Sequence, residues 1–143
     1  MNRISCIQPK FVEFIPEHLE AGVLYVSRRY ATASHLCCCG CGLEVVTPLN
    51  PAKWRLTERD GAVSLAPSIG NWSFPCKSHC WIMGNRVRWA GAMSPEMITA
   101  VKARDRFDAI ELGQRRAGGV RAIAQRMLGG WNKAKSLIKG WWR

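Results

Sequence analysis

Apolar positions in the first 92 residues fall into short runs separated by turn-forming residues, a pattern with the period of strands rather than helices. Phe11, Val12, Phe14 and Ile15 make one such run, ended by Pro16, and predict a strand or edge segment. Gly22-Val23-Leu24-Tyr25-Val26-Ser27 is β-branched and aromatic after a glycine and predicts another, and Leu43 to Thr47 before Pro48 a third. Trp54-Arg55-Leu56-Thr57 alternates apolar and polar, and Ala62-Val63-Ser64-Leu65 is its return strand. Between them, Asp60-Gly61 supplies the positive φ angles of a hairpin turn. Pro67-Ser68-Ile69-Gly70-Asn71 reads as a further turn, followed by Trp72-Ser73-Phe74 before Pro75. His79 to Met83, the turn Gly84-Asn85 and Arg86 to Ala90 form a second hairpin. The pattern predicts a compact, mainly antiparallel β domain over residues 1–92.

The period changes at Ser94-Pro95-Glu96, where an N-cap serine, a first-turn proline and a first-turn glutamate announce a helix. Met97, Ala100, Val101, Arg104 and Asp108 carry it to about Leu112. Gly113 and Gly118-Gly119 predict an interruption, Val120 to Leu128 a second helix, and Gly129-Gly130 its end. Trp131 to Ile138 predicts a third, with Trp131, Ala134, Leu137 and Ile138 on one side, suited to packing on its own core or to lying on another surface. The expected fold class is therefore α+β: a β domain, then a helical extension over residues 93–143, with no internal repeats.

Composition narrows this picture. At 48% hydrophobic residues with seven tryptophans, the chain of 143 residues has the content of one globular core. No apolar stretch approaches the roughly 18 to 20 residues of a membrane span, and Pro9, Lys10 and Glu13 come too early for a signal peptide. The expectation is a cytoplasmic protein whose thiols stay reduced, so clustered cysteines point to metal binding or catalysis rather than disulfides. The net charge of +11 is uneven: residues 1–112 hold 13 of the 21 basic residues and all ten acidic ones, and residues 113–143 hold the other eight basic residues. Such a tail can track a phosphate backbone or an acidic protein surface.

The densest chemistry is His35-Leu36-Cys37-Cys38-Cys39-Gly40-Cys41-Gly42, with Cys76 and Cys80 bracketing His79 some forty residues later. Thiolates and neutral imidazole are the ordinary ligands of zinc, and glycine lets a short loop wrap around an ion. Cys37, Cys39 and Cys41 alternate and share one side of an extended or gently turning segment, as does His35. A fourth ligand from a distant element closes a tetrahedral site, and Cys76, just after Pro75, is the choice. Cys38 has the opposite parity, although Cys38-x-x-Cys41 is also a knuckle spacing, so His35 and Cys38 stay open as ligands. Zinc is the default for a thiolate-rich site and iron–sulfur the alternative. A zinc-knuckle-like clamp of this kind would be structural, adding folding stability to a small β domain.

A second constellation involves an ordinary serine. Ser68 stands beside Gly70 in a tight bend, a setting that exposes a hydroxyl and offers backbone N–H groups to an oxyanion. Serine needs a base to become a nucleophile. Of the three histidines, His79 lies on the strand nearest this bend, so Ser68 and His79 form the geometrically cheapest dyad.

These motifs together carry a resemblance. Gly22 to Ser27, His35-Leu36-Cys37-x-Cys39-Gly40-Cys41-Gly42, Val46-Thr47-Pro48-Leu49, Pro67-Ser68-Ile69-Gly70-Asn71 and Pro75-Cys76-x-Ser78-His79-x-Trp81 resemble a family of small serine peptidases from bacterial ubiquitination-like (Bub) operons, the BubE-like proteins. The likeness runs from residue 22 to about 96 and leaves out the basic tail. It implies a serine peptidase with a Ser–His dyad that processes or deconjugates a ubiquitin-like protein. Its implied partners are that protein, its conjugates and the E1-like and E2-like proteins of the same operon, in a pathway of antiphage defence. Carried onto this chain, the dyad comes from Ser68 or Ser78 with His79 or His35, and Ser68 with His79 is preferred because Ser78 and His79 are adjacent and diverge on a strand. Cys80 departs from the aromatic residue expected after the Ser-His pair, and Cys38 is also extra.

The rival expectation is a non-catalytic zinc-binding module that grips nucleic acid or the conjugation machinery through its basic tail, with tryptophans as stacking platforms.

Overall fold

The computed structural model of the chain describes residues 2–139, with side chains described as far as Met127. Eight strands precede one helix: β1 (Gln8–Phe11), β2 (Val23–Ser27), β3 (Thr32–Leu36), β4 (Glu44–Pro48), β5 (Arg55–Arg59), β6 (Ala62–Gly70), β7 (His79–Met83), β8 (Arg86–Trp89) and α1 (Pro95–Lys139). The strands form two four-stranded sheets in sequential order, β1 to β4 and β5 to β8. Every pairing is antiparallel except the β1–β2 edge. The predicted α+β class is the one the structure has.

The two sheets share one core. Ile7, Leu24, Val26, Ala33 and Val45 from the first sheet meet Val63, Leu65, Ile69, Cys80, Ile82 and Val87 from the second, with Cys37 and Cys38 among them. Period-2 alternation does this: in β4 and β7 every second residue is buried and its neighbours face out. The sheets are also joined by backbone. Cys6 bridges Arg86, the Ile7 N–H donates to the Asn85 carbonyl at 2.8 Å and the Val87 N–H to the Ser5 carbonyl at 2.9 Å. The segment leading into β1 thus covers much of the outer edge of β8.

Both hairpins form where the sequence predicts them, at Asp60-Gly61 and Gly84-Asn85, all four residues with positive φ. Three readings need correction. β1 lies at Gln8–Phe11, upstream of the run ending at Ile15, because its parallel partner β2 fixes the register from Gln8↔Val23. Beyond Phe11, Phe14 instead packs its exposed ring on Tyr30 at 5.5 Å. The strand entering the cysteine loop is β3, for which the sequence pattern predicts no strand, since its Ser34 and His35 are buried polar residues without an apolar signature. Finally, α1 runs unbroken through Gly113, Gly118 and Gly119. Glycine costs a helix only about 1 kcal/mol against alanine, and no proline follows to stop it. The stripe predicted on Trp131, Ala134, Leu137 and Ile138 concerns side chains outside the described residues.

By its contacts the chain divides into two compact units, Met1–Lys102 and Ala103–Arg143. Every candidate site residue belongs to the first.

Candidate active site and thiol cluster

Ser68 is presented by a bulge in β6 rather than by the turn the sequence predicts. On β6 four steps separate Leu65 from Ile69, while their partners on β7, Ile82 and Cys80, are two apart. Two extra residues therefore sit on β6. Because side chains alternate with period 2, an insertion of two returns Ile69 to the core face and lifts the Pro67–Ser68 stretch out of the ladder. The Ala66-Pro67 peptide in the bulge is cis. The Trp54 indole N–H, 3.4 Å from the Ser68 carbonyl, ties the bulge to the start of β5.

His79 opens β7 in register with Gly70, and this brings its Nε2 within 2.9 Å of Ser68 Oγ. The ring lies between two indoles: Trp72 meets it edge-on at 4.9 Å and Trp81 is tilted at 5.4 Å. Nδ1 is buried with no hydrogen-bond partner among the described residues, so no carboxylate orients the imidazole. Aromatic packing takes that place. Burial lowers the His79 pKa below its ordinary 6.5, which keeps the ring neutral and able to accept the serine proton at neutral pH.

Gly70 is what makes room for this packing. A Cβ there would lie 2.3 Å from the Trp72 ring. Gly70→Ala is expected to push Trp72 off His79, destabilising the fold by about 1–3 kcal/mol and slowing any reaction at Ser68 roughly 10- to 100-fold. Thermal melts and turnover rates measured together check both effects.

The thiol cluster lies close by. Cys37, Cys39, Cys41 and Cys76 place their sulfurs within 4.8 Å of one another, a group able to hold a metal ion. Cys37 Sγ is 3.4 Å from Cys39 Sγ and 3.9 Å from Cys76 Sγ, and Cys41 Sγ is 3.9 Å from Cys76 Sγ. Four thiolates at Zn–S distances of about 2.3 Å would stand roughly 3.8 Å apart, so the donors fit a tetrahedral ion. A tight turn, rather than an extended segment, converges the first three. The Gly40 N–H bonds the Cys37 carbonyl at 3.0 Å and the Cys37 N–H bonds the Leu43 carbonyl at 2.7 Å. Gly40 has φ 87°, and a Cβ on it would press within 2.8 Å of the Asn2 carbonyl, so both conformation and space demand glycine there.

Electrostatics also favour a cation. Burial raises the Cys37 thiol, and burial with the adjacent Cys37 and Cys41 thiols raises Cys39. Against the effect of burial, the Ser78 backbone N–H and hydroxyl and the neighbouring thiols bring Cys76 down to about 7. Crowded thiols cannot all ionise alone; a divalent ion reverses that balance.

The other candidates fall elsewhere. The buried Ser78 hydroxyl is shared between Asn71 Nδ2 at 2.8 Å and Cys37 Sγ at 3.1 Å, and Asn71 Nδ2 also approaches Cys37 Sγ at 3.7 Å. Ser78 thus supports the thiol cluster and makes no hydrogen bond to His35. His35 is buried in β3, its pKa lowered by burial to about 4, and stands outside the four-thiol group. Cys38 stands outside the four-thiol group, where the neighbouring Cys80 thiol and burial raise its pKa and the Cys38 thiol lowers that of Cys80. Sequence reasoning missed the supporting roles of Trp54, Asn71, Trp72 and Trp81. Asn71 and Trp81 lay in quoted motifs, but nothing in the sequence tied them to a neighbour.

This fold and site define a small two-sheet α+β protein in which a four-thiol cluster lies close to a hydrogen-bonded serine and histidine. Residues 11–90, more than half the chain, match the family described as the bacterial ubiquitination-like system serine protease (BubE), and the chain belongs to that family. The basic extension lies outside the match. No curated protein and no solved structure matches the chain.

Proposed function

We propose that the chain is a serine peptidase that processes or deconjugates a ubiquitin-like protein, with Ser68 as nucleophile and His79 as its base. The observation that carries this reading is the 2.9 Å contact between Ser68 Oγ and His79 Nε2 in a member of a serine protease family. His79 Nε2 takes the Oγ proton as Oγ attacks the carbonyl at the C-terminus of the ubiquitin-like protein. The same proton then passes to the leaving amine, and a water activated by His79 hydrolyses the acyl-enzyme. With no acid on Nδ1, this is a dyad.

In this reading the ion is zinc, held by Cys37, Cys39, Cys41 and Cys76. Four thiolates saturate it, so it clamps the fold and leaves no position for activating water. Residues 1–92 carry the chemistry, residues 93–143 are a basic extension that is helical over Pro95–Lys139, and the setting is the cytoplasm of a bacterium, in an antiphage pathway. Among the described residues no helix is long and apolar enough to cross a membrane.

Two measurements test the proposal. A fluorophosphonate probe is expected to add its mass to Ser68 alone, read by peptide mapping, and the purified chain is expected to trim a ubiquitin-like precursor or conjugate. Labelling at Ser78 would relocate the nucleophile. Absent cleavage, salt-sensitive DNA binding that vanishes on removing residues 113–143 would favour the binding module, in keeping with the exposed Arg115, Arg116, Arg121 and Arg126.

A pH profile follows from His79. The base must be neutral, and burial places its pKa below 6.5. The acid limb of kcat/KM is therefore expected to have its midpoint below pH 6.5, with full activity at and above neutrality on that limb; a midpoint above 6.5 would contradict the assignment.

A further inference from the structure

A cleft of about 310 Å³ opens beside the histidine, walled by Arg3, Trp72, Lys77, His79, Trp89 and Met93 among others. That volume is at the small end of the range for ligand sites. No Asp or Glu lines it, and Cys39 and Cys76 of the thiol cluster form one side of it. Neither cation on its wall has an ion-pair partner among the described residues.

Arg3 is held by its side chain and Lys77 is placed by its backbone. The Arg3 guanidinium lies 4.7 Å over the Trp89 ring, a cation–π contact that holds it at one wall. Lys77 follows Cys76 in the loop that carries the fourth thiol; its N–H bonds the Phe74 carbonyl at 3.0 Å and its φ is 43°. A guanidinium and an ammonium on residues that line one cavity suit a carboxylate, the first by paired N–H donors and the second as a point charge. The chain beyond β8 adds backbone. After the Ala90 N–H bonds the His79 carbonyl at 2.9 Å, Gly91 to Met93 belong to no strand, and Ala90 to Met93 line the cleft. An extended peptide reaching His79 would lie along that segment.

We infer that this cleft receives a carboxylate of the substrate peptide, gripped by Arg3 and Lys77 next to the reacting bond. The inference rests on the peptidase reading only for placing that bond. The carboxylate belongs either to an acidic side chain near the cleavage point or to a free C-terminus.

The test uses the full chain carrying Ser68→Ala, so that peptides stay intact, and three ten-residue peptides studied by calorimetry. One carries four Asp or Glu residues and an amidated end, the second has Asn or Gln in their place and an amidated end, and the third has the neutral side chains and a free end. The acidic peptide, the free-ended peptide or both are expected to bind about tenfold or more tighter than the neutral amide, less so at high salt. The peptide that binds assigns the source of the carboxylate.

Adding Arg3→Gln and Lys77→Asn is expected to abolish the preference; asparagine tolerates the positive φ at position 77. Arg3→Glu with Lys77→Asp is expected to transfer the preference to a Lys-containing peptide, which a merely misfolded variant would not do. Equal binding of all three peptides, or a preference for acid that survives the reversal and so belongs to the basic helix, overturns the inference. Cleavage by the wild-type chain separates the two claims. Cleavage indifferent to carboxylates overturns the cleft assignment alone, whereas cleft-dependent binding without any cleavage overturns the peptidase reading alone.

Discussion

Ser68→Ala is expected to lower kcat/KM for a ubiquitin-like precursor by at least about 10⁴-fold while leaving the fold and the bound metal in place. On the proposed mechanism the substitution removes the atom that would form the acyl bond, and Ser68 is the hydroxyl hydrogen-bonded to His79 among the described residues. The cost to the fold is small. Oγ makes one hydrogen bond, to a partly exposed ring, worth about 1 kcal/mol. His79→Ala should reduce activity to a similar extent, and the double variant should be no worse than either single one, because nucleophile and base act as a unit. Ser78→Ala is the informative contrast. Its hydroxyl joins Asn71 to Cys37, so its loss should weaken metal retention and thermal stability before it touches the chemical step. Precursor cleavage, metal content and Tm on the same four variants decide the matter; Ser68→Ala retaining a tenth of wild-type activity would remove Ser68 from the mechanism.

Cys39→Ser and Cys76→Ser are expected to abolish stoichiometric metal binding and to destabilise the protein by about 3 kcal/mol or more, a fall in Tm of roughly 12 °C or more. The cause is architectural. Cys37, Cys39 and Cys41 come from the turn between β3 and β4 of the first sheet, and Cys76 from the connection between β6 and β7 of the second. That connection has no strand of its own, and an ion at its end would hold it on the turn. His79 begins β7 three residues beyond Cys76, so activity should fall with the metal. Cys6→Ser is the control: Cys6 is exposed and outside the four-thiol group, and its variant should keep one metal per chain. Elemental analysis with a chelator titration followed by circular dichroism reads the result. A wild type that is fully folded with no metal would sink the clamp.

What was legible in the sequence depended on short range. The β7–β8 hairpin is visible because Gly84-Asn85 and alternating Trp81, Ile82, Arg86, Val87 and Arg88 contain both halves of the interaction within ten residues. β3 was not, because Ser34 and His35 owe their burial to β2 and β4 on either side, not to their own polarity. The unbroken α1 was misread for a related reason: glycine is a weak breaker, and its modest cost is outvoted by the strong helix formers around it.

The sequence by itself determined the cysteine-rich turn at residues 37–41, the two tight hairpins, the helix start at Ser94-Pro95-Glu96 and the family, since each rests on residue type and local motifs, whereas the fold singled out Cys37, Cys39, Cys41 and Cys76 from the candidates. The tertiary structure alone decided that Ser68 stands on a two-residue bulge, that two indoles pack on His79, that Ser78 and Asn71 serve the thiols, and that Arg3 and Lys77 line one cleft. Each of those facts depends on how strands and the loops between them are set against one another in the fold. Register follows from the core face that all eight strands must bury together, a property of the whole fold that no local stretch of residues encodes.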